Sequence, residues 1–213
     1  EVGRVISELL RPGMTMVDIG AHLGYYTILG RMKVGEIGRV FAFEPDPKYY
    51  RCIIQSLQLN RFTEGVEVYQ MAVSDRDGSS CFFPDHSGGK GNLYAPVNAN
   101  QSHSIEVHTV SLDSFFKKLG WPQIDLIKID VEGAEVAVLK GMHELSRHNK
   151  SLCLIVEFAP KRASGVPAHE FFDTVRQLGF NNVCAIESPE LCRPEGIIKE
   201  AERMGYLNLL CRK

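Results

Sequence analysis

The chain has 213 residues, 44% hydrophobic and 23% charged, with a formal net charge of −2. That length is enough for one domain with a substantial core, and the composition is that of an ordinary globular protein. No apolar run approaches the roughly 20 residues that span a bilayer, and the absence of a basic excess argues against nucleic acid as the main partner. The chain opens on Glu1 without a recognisable signal peptide, although a start other than Met is compatible with trimming. Six cysteines, Cys52, Cys81, Cys153, Cys184, Cys192 and Cys211, include no C-x-x-C pair, and several fall in apolar runs. Buried, reduced thiols are therefore expected, which suits a cytoplasmic protein. The seven histidines show no metal-ligand spacing, and no metal site is assigned.

In chain order, residues 3–11 read as a short helix ending at Pro12-Gly13, and "MTMVDI" (14–19) as a buried strand. "GYYTILGRMKVG" (24–35) is helical to its final glycine, and "GRVFAFE" (38–44) is a second strand. Asp46 followed by Pro47 gives an N-cap with proline at the first helical position, so a helix follows through "KYYRCIIQSLQLN". "VEVYQMAV" (66–73) is a third strand; "SSCFF" (79–83) and "IEVHTVSL" (105–112) are strands around a polar loop. A short helix in "DSFFKKLG" ends at Gly120, "IDLIKID" (124–130) is a core strand, and "GAEVAVLKGM" (133–142) is its helix. "SLCLIVEF" (151–158) is a strand, a helix spans 167–178, and "NNVCAI" and "GYLNLLCRK" are the last two strands. These two lack a convincing helix between them and are expected to be antiparallel. Strands alternating with helices of this length imply βαβ units and a mainly parallel, doubly wound sheet.

The turn after the first strand, "VDIGAHLGYYT" (17–27), departs from the dinucleotide fingerprint. That fingerprint reads G-x-G-x-x-G, its glycines letting the backbone approach a pyrophosphate. Here the spacing is D-x-G-x-x-x-G, with Asp18 two residues before Gly20 and Gly24 four residues after it. A carboxylate there repels a diphosphate but suits a ligand bearing cationic groups. S-adenosylmethionine has no phosphate and carries an ammonium and a sulfonium. Glu44, at the end of the second strand, can accept hydrogen bonds from both hydroxyls of a ribose. Asp130 ends the 124–130 strand, at the carboxyl edge where open α/β sheets bind ligands, and Glu132 and Glu135 open the next helix.

Six separated blocks, "VDIGAHLGYYT", "GRVFAFEPDP", "LQLN", "MAVSDRDG", "SLDSF" and "IDLIKIDVEGAEVAVLKGM", occur in order and resemble the FkbM family of S-adenosylmethionine-dependent methyltransferases. The resemblance runs from about residue 12 to 160, and "GYLNLLCRK" is similar to the family's closing strand. It implies a Rossmann-like class I methyltransferase sandwich over residues 1–213: a seven-stranded, mainly parallel sheet with its last strand antiparallel. The implied activity is methyl transfer from S-adenosylmethionine, chiefly to a hydroxyl of a sugar or natural product. Carried over by position, Asp18, Gly20, Ala21, His22 and Gly24 line the methionine and ribose, and Glu44 holds the ribose hydroxyls. Ala72 and Val73 border the adenine, with Ser74 or Asp75 near its amino group, and Asp130 lies beside the methyl group. Asp130 and Glu132 are the candidates for a general base, or, alternatively, for holding a divalent ion that activates the hydroxyl.

Two other functions compete, an NAD-dependent oxidoreductase and a non-catalytic nucleotide-binding domain; the D-x-G spacing opposes the first and the acidic cluster after residue 129 the second. Lys128 shares a strand face with Leu126 and Asp130, so in a covered central strand it is expected to be ion-paired, with Asp18 and Glu157 the nearest acids. The polar segment 84–104 is expected at the mouth of the site, shaping the pocket for a small-molecule acceptor.

Overall fold

A computed structural model describes residues 1–62, 64–84, 91–93, 104–162 and 166–213. In chain order the elements are α1 (Val2–Leu9), β1 (Thr15–Ile19), α2 (Tyr25–Val34), β2 (Arg39–Phe43), α3 (Pro47–Leu59), β3 (Val66–Tyr69), β4 (Ala72–Val73), β5 (Gly78–Phe82) and β6 (Ile105–Val110). They continue with α4 (Leu112–Lys118), β7 (Leu126–Ile129), α5 (Glu135–Lys140), α6 (His143–His148), β8 (Cys153–Phe158), α7 (Ala168–Gln177), β9 (Asn182–Ala185), α8 (Pro194–Met204) and β10 (Leu207–Arg212). Seven strands form one sheet in the order β3-β2-β1-β7-β8-β10-β9. All neighbours are parallel except β10, which runs antiparallel to both β8 and β9. This is the Rossmann-like methyltransferase sheet expected from the sequence.

Alternate residues of each strand feed two cores. On one face Met16, Val40, Leu126 and Ile155 pack with Val2, Ile6 and Val34 of α1 and α2, and Ala42 packs against Ile53 and Leu57 of α3. On the other, Val17, Phe41, Ile127 and Leu154 pack with residues of α4 to α8, among them Phe116, Leu139, Leu145, Phe172 and Ile197. The central strands β1 and β7 are buried along their whole length, as expected for strands covered on both sides. Asp18 and Lys128 are therefore buried by position.

Four expectations are corrected. The strand at 66–73 is two strands. β3 ends at Tyr69, and β4 joins a separate three-stranded sheet, order β4-β6-β5, with the strands expected at 79–83 and 105–112. The chain leaves the large sheet at its β3 edge, and β4 finds its partner in β6 through the register Ala72↔Thr109 and Val73↔Val110.

The last two strands are antiparallel, but α8 lies between them. Pro194 opens it, and it buries only Ile197 and Ala201, with Ile198 partly buried beside them, an apolar face too short to read in the sequence. The helix expected over 133–142 is α5, and a further helix, α6, follows at once. Cys184 and Cys192 form a disulfide, with Cα atoms 4.2 Å apart across the turn after β9, so reduced thiols remain only at Cys52, Cys81, Cys153 and Cys211, and of these only Cys211 is buried as expected, Cys81 being exposed. Among the described residues no helix is long and apolar enough to cross a membrane. Of the segment 84–104, residues 85–90 and 94–103 lie outside the described residues.

The missed helix α6 has no side-chain cap of its own. Its first-turn N–H groups are satisfied by the carboxylate of Asp113 in α4, which accepts from Glu144 N at 3.0 Å and Leu145 N at 2.8 Å. A cap borrowed from 30 residues upstream leaves no local signal. Asp113→Ala is expected to lower stability by about 1 kcal/mol, the usual worth of an N-terminal cap, read as a lower urea midpoint with an unchanged slope.

Candidate active site

At the carboxyl edge of the large sheet, the β1–α2 turn passes through three left-handed positions: Gly20 (φ 74°), His22 (φ 52°) and Gly24 (φ 83°). The N–H groups of Gly20 and Ala21 donate to the carbonyl of Phe43, at 3.0 and 3.1 Å, which fastens the turn to the end of β2. Gly20 is required for a second reason: a Cβ built there comes to 2.0 Å from the carbonyl oxygen of Asp130. Without a side chain, the turn lies directly against the end of β7, where Asp130 N donates to Ile19 O at 3.1 Å.

Glu44 follows β2 and is 5% exposed. Its Oε2 accepts from His22 N at 2.7 Å and its Oε1 from Asp46 N at 2.9 Å. Burial pushes its pKa up to about 7 against the pull of these two N–H groups. Asp46 in turn caps α3 by accepting from Lys48 N at 2.7 Å. This cap fixes Tyr49, whose ring lies 4.0 Å from that of His22.

The open cleft here spans about 490 Å³, counting the solvent space at its mouth. Of the residues singled out in the sequence, Gly20, His22, Glu44, Ala72, Val73, Asp130 and Glu132 line it. Asp18, Ala21 and Gly24 do not. Asp18 is fully buried beneath the cleft floor, where Thr27 Oγ1 donates to its Oδ2 at 2.7 Å. Ala21 is buried, and Gly24 packs on Ile53 at the start of α2. Ser74 and Asp75 face a neighbouring polar groove, which Leu93 also lines.

The cleft has walls that the sequence reading did not find: Phe43, Tyr49, Met71, Phe82 and Leu93. Phe82 reaches it from β5 of the small sheet, and Leu93 from the chain packed against that sheet's core, a placement no local pattern encodes. From the polar segment, Gly91 and Leu93 line the cleft.

The other end of the cleft is acidic. Asp130, Val131 and Glu132 form the β7–α5 connection, with Glu132 at φ 54° and Gly133 at φ 99°. The loop is held from inside by the buried carboxylate of Glu135, which accepts from Val131 N at 3.2 Å and Gly133 N at 3.0 Å. Burial raises the pKa of Glu135. Lys128 pairs with Asp18 at 3.5 Å and Asp130 at 3.3 Å. Of its two expected partners the ion pair is made with Asp18: the register sets Lys128 beside Ile155, with Glu157 two residues further along β8, where Arg162 engages it at 3.2 Å. Arg162 also holds Glu132 at 2.5 Å; no sequence signal marked this arginine. Carboxylate oxygens of Asp130, Glu132 and Glu157 lie within 4.8 Å of one another, the one grouping among the described residues with metal-ligand geometry, and the Arg162 guanidinium already sits on two of the three.

Between the ordinary titration of glutamate near 4.5 and its own near 7, folded Glu44 keeps a proton that the unfolded chain has lost. Its contribution therefore makes the ligand-free protein less stable as pH rises through that window. Glu44→Gln has no such titration. Its stability relative to the parent protein is expected to improve between pH 4.5 and 7, by about 3 kcal/mol at most. The check is the difference between the two pH–stability curves in urea; parallel curves would contradict the assignment.

Residues 18–181 match the family model described as the methyltransferase FkbM domain. The chain is 29% identical over 159 residues to the methyltransferase sdnD of Sordaria araneosa, covering 61% of this chain and 60% of that protein. It is 30% identical over 156 residues to the 2-O-methyltransferase NoeI of Sinorhizobium fredii, covering 66% of this chain and 62% of that one. It thus spans about three fifths of the length of these relatives. Among solved structures, it is similar in fold to the methyltransferase FkbM of Methylobacillus flagellatus KT, with a TM-score of 0.54 and 16% identity over 98% of this chain and 50% of that one.

Proposed function

Because the chain belongs to the methyltransferase FkbM domain family, we propose that it transfers a methyl group from S-adenosylmethionine to a hydroxyl of a sugar or natural product. The observation that carries this reading is Glu44: a buried carboxylate on the cleft wall, fixed by two backbone N–H groups and beside a turn without side chains at Gly20. Two vicinal ribose hydroxyls match such an acceptor. The charge around the cleft favours the same ligand. Glu44, Asp130 and Glu132 line it, and Asp18 lies below, an arrangement that repels a dinucleotide's diphosphate and attracts an ammonium and a sulfonium. The apolar wall of Phe43, Met71, Val73, Phe82 and Leu93 suits a purine ring.

When bound, S-adenosylmethionine supplies a methyl group already activated by a good leaving group. The protein then has mainly to hold the acceptor oxygen in line, at about 3–3.5 Å, and to remove its proton. Asp130 and Glu132 are assigned that proton, since they are the two carboxylates of the cleft beyond the sheet edge. Lys128 behind Asp130 and Arg162 beside Glu132 fix where each points. The similar NoeI is a 2-O-methyltransferase, which favours a hydroxyl acceptor here as well.

Titration calorimetry with S-adenosylhomocysteine tests the cofactor assignment. Binding is expected at pH 8, with none to NAD. Glu44→Ala removes two charge-assisted hydrogen bonds and should weaken affinity about a hundredfold; equal affinity in the variant would overturn the role of Glu44. Transfer of a labelled methyl group to a panel of saccharide and polyketide hydroxyls then identifies an acceptor. With it, Asp130→Asn or Glu132→Gln should lower kcat by roughly 10²–10⁴-fold, the range of general base catalysis. If neither loses more than about tenfold while cofactor binding holds, neither is the base, and loss of turnover on adding a chelator would assign the acids to a metal instead.

A further inference from the structure

Lys128 is 4% exposed, within a strand buried along its whole length. Its ammonium lies 3.5 Å from Asp18 Oδ1, 3.3 Å from Asp130 Oδ2 and 3.3 Å from the carbonyl oxygen of Gly20, and 4.9 Å from the centre of the Tyr26 ring. Thr27 holds the other oxygen of Asp18. Tyr26 and Thr27 are both on α2, the helix packed over this face, and the groups facing Lys128 are Asp18, Asp130 and Tyr26. Burial works against the charged ammonium, but the two carboxylates outweigh it and keep the lysine protonated. In the buried unit Asp18–Lys128–Asp130 one ammonium is thus ion-paired to two carboxylates, leaving one negative charge in excess. Only Asp130 of the three lines the cleft. Lys128 stands behind it, touching at once the acid, the buried partner acid and the carbonyl of the glycine turn.

A buried charge acts on a bound ligand with little screening, so the size of this charge matters to any ligand whose own charge changes during the reaction. S-adenosylmethionine carries a sulfonium cation; S-adenosylhomocysteine, left after transfer, has a neutral thioether in its place and is otherwise alike. Resting on the cofactor assignment above, we propose that Lys128 is a specificity-determining residue. By holding the Asp18–Asp130 pair to a single net negative charge, it sets how strongly the cleft prefers the sulfonium cofactor to the thioether product. A lysine that merely fills the strand would change both affinities together. One that sets the charge changes their ratio.

The ratio of the two dissociation constants, measured by calorimetry at pH 8, is the readout and requires no acceptor. Lys128→Met leaves two carboxylates uncompensated and should move the ratio toward S-adenosylmethionine by about tenfold or more, as expected for one unit of buried charge near a cation. Lys128→Arg should keep the parent ratio. Because Lys128→Met strands charge in the core and can fail to fold, the same question is put without it. Asp18→Asn alone brings the unit to zero and should move the ratio about tenfold toward S-adenosylhomocysteine. Adding Lys128→Met to Asp18→Asn restores −1 and should return the ratio to within about threefold of the parent. If Lys128→Met changes both affinities by the same factor, or if the double variant keeps the ratio of Asp18→Asn, Lys128 does not set the preference. If the parent protein binds neither ligand, it is the cofactor assignment that fails.

Discussion

The carbonyl oxygen of Asp130 occupies the space that a side chain at residue 20 would need. This close approach joins the ends of β1 and β7, and the rest of the site depends on it. It lets the β1–α2 turn lie flat over the sheet edge, where two N–H groups fasten it to Phe43 O. It sets His22 N against Glu44 on the β2 side and Asp130 against the same turn on the β7 side. Residues from three strands therefore meet around one glycine without a long loop to carry any of them. The parallel register pairs Asp18 with Lys128 across β1 and β7, and both lie on the face that also carries the apolar Met16 and Leu126 against α1 and α2.

Four acids at this edge, Asp18, Asp130, Glu132 and Glu157, are shared between two cations of different character. Lys128 is buried and serves the cleft from beneath; Arg162 is half-exposed, bridges Glu132 and Glu157 at the rim, and lies over the Tyr206 ring. An ammonium shifts easily in response to a neighbouring charge, whereas a guanidinium engages two carboxylates in fixed directions. The division suits a site in which one end holds a ligand of changing charge and the other positions a carboxylate in a left-handed backbone conformation. Glu135 completes the arrangement from the interior, spending its buried carboxylate on the N–H groups of the loop that carries Glu132.

The opposite wall has a different origin. Phe82 of the small sheet, with Leu93 packed against it, closes the cleft, and this sheet follows the edge of the large one through β4. Val73 and Val110 bind this sheet into the main core, while Ala72, Phe82 and Val107 form a small core of their own. The cleft thus takes its carboxylates from the large sheet's edge and much of its apolar wall from the small sheet and the chain beside it.

The sequence by itself determined the parts that rest on local chemistry. The strand–turn–helix around Gly20, the acid at the end of β2, the Asp46–Pro47 start of α3 and the alternation of strands and helices are written in residue spacing, because each depends on neighbours within a few positions. The same holds for Lys128: a lysine in a covered strand must have a partner, and Asp18 was legible as one. Its second partner was not, because choosing Asp130 over Glu157 depended on the register of β7 with β8, which sets Lys128 beside Ile155. Only the tertiary structure decided that Asp18 lies below the cleft rather than in it, since a strand residue's depth depends on the helix laid over it. It also decided the break at Tyr69, the cap that Asp113 lends to α6, the bond between Cys184 and Cys192, and the aromatic wall from the small sheet. Each of these is a contact between segments distant in the chain or across a turn of unpatterned residues, where no period or motif in the sequence records which groups will meet.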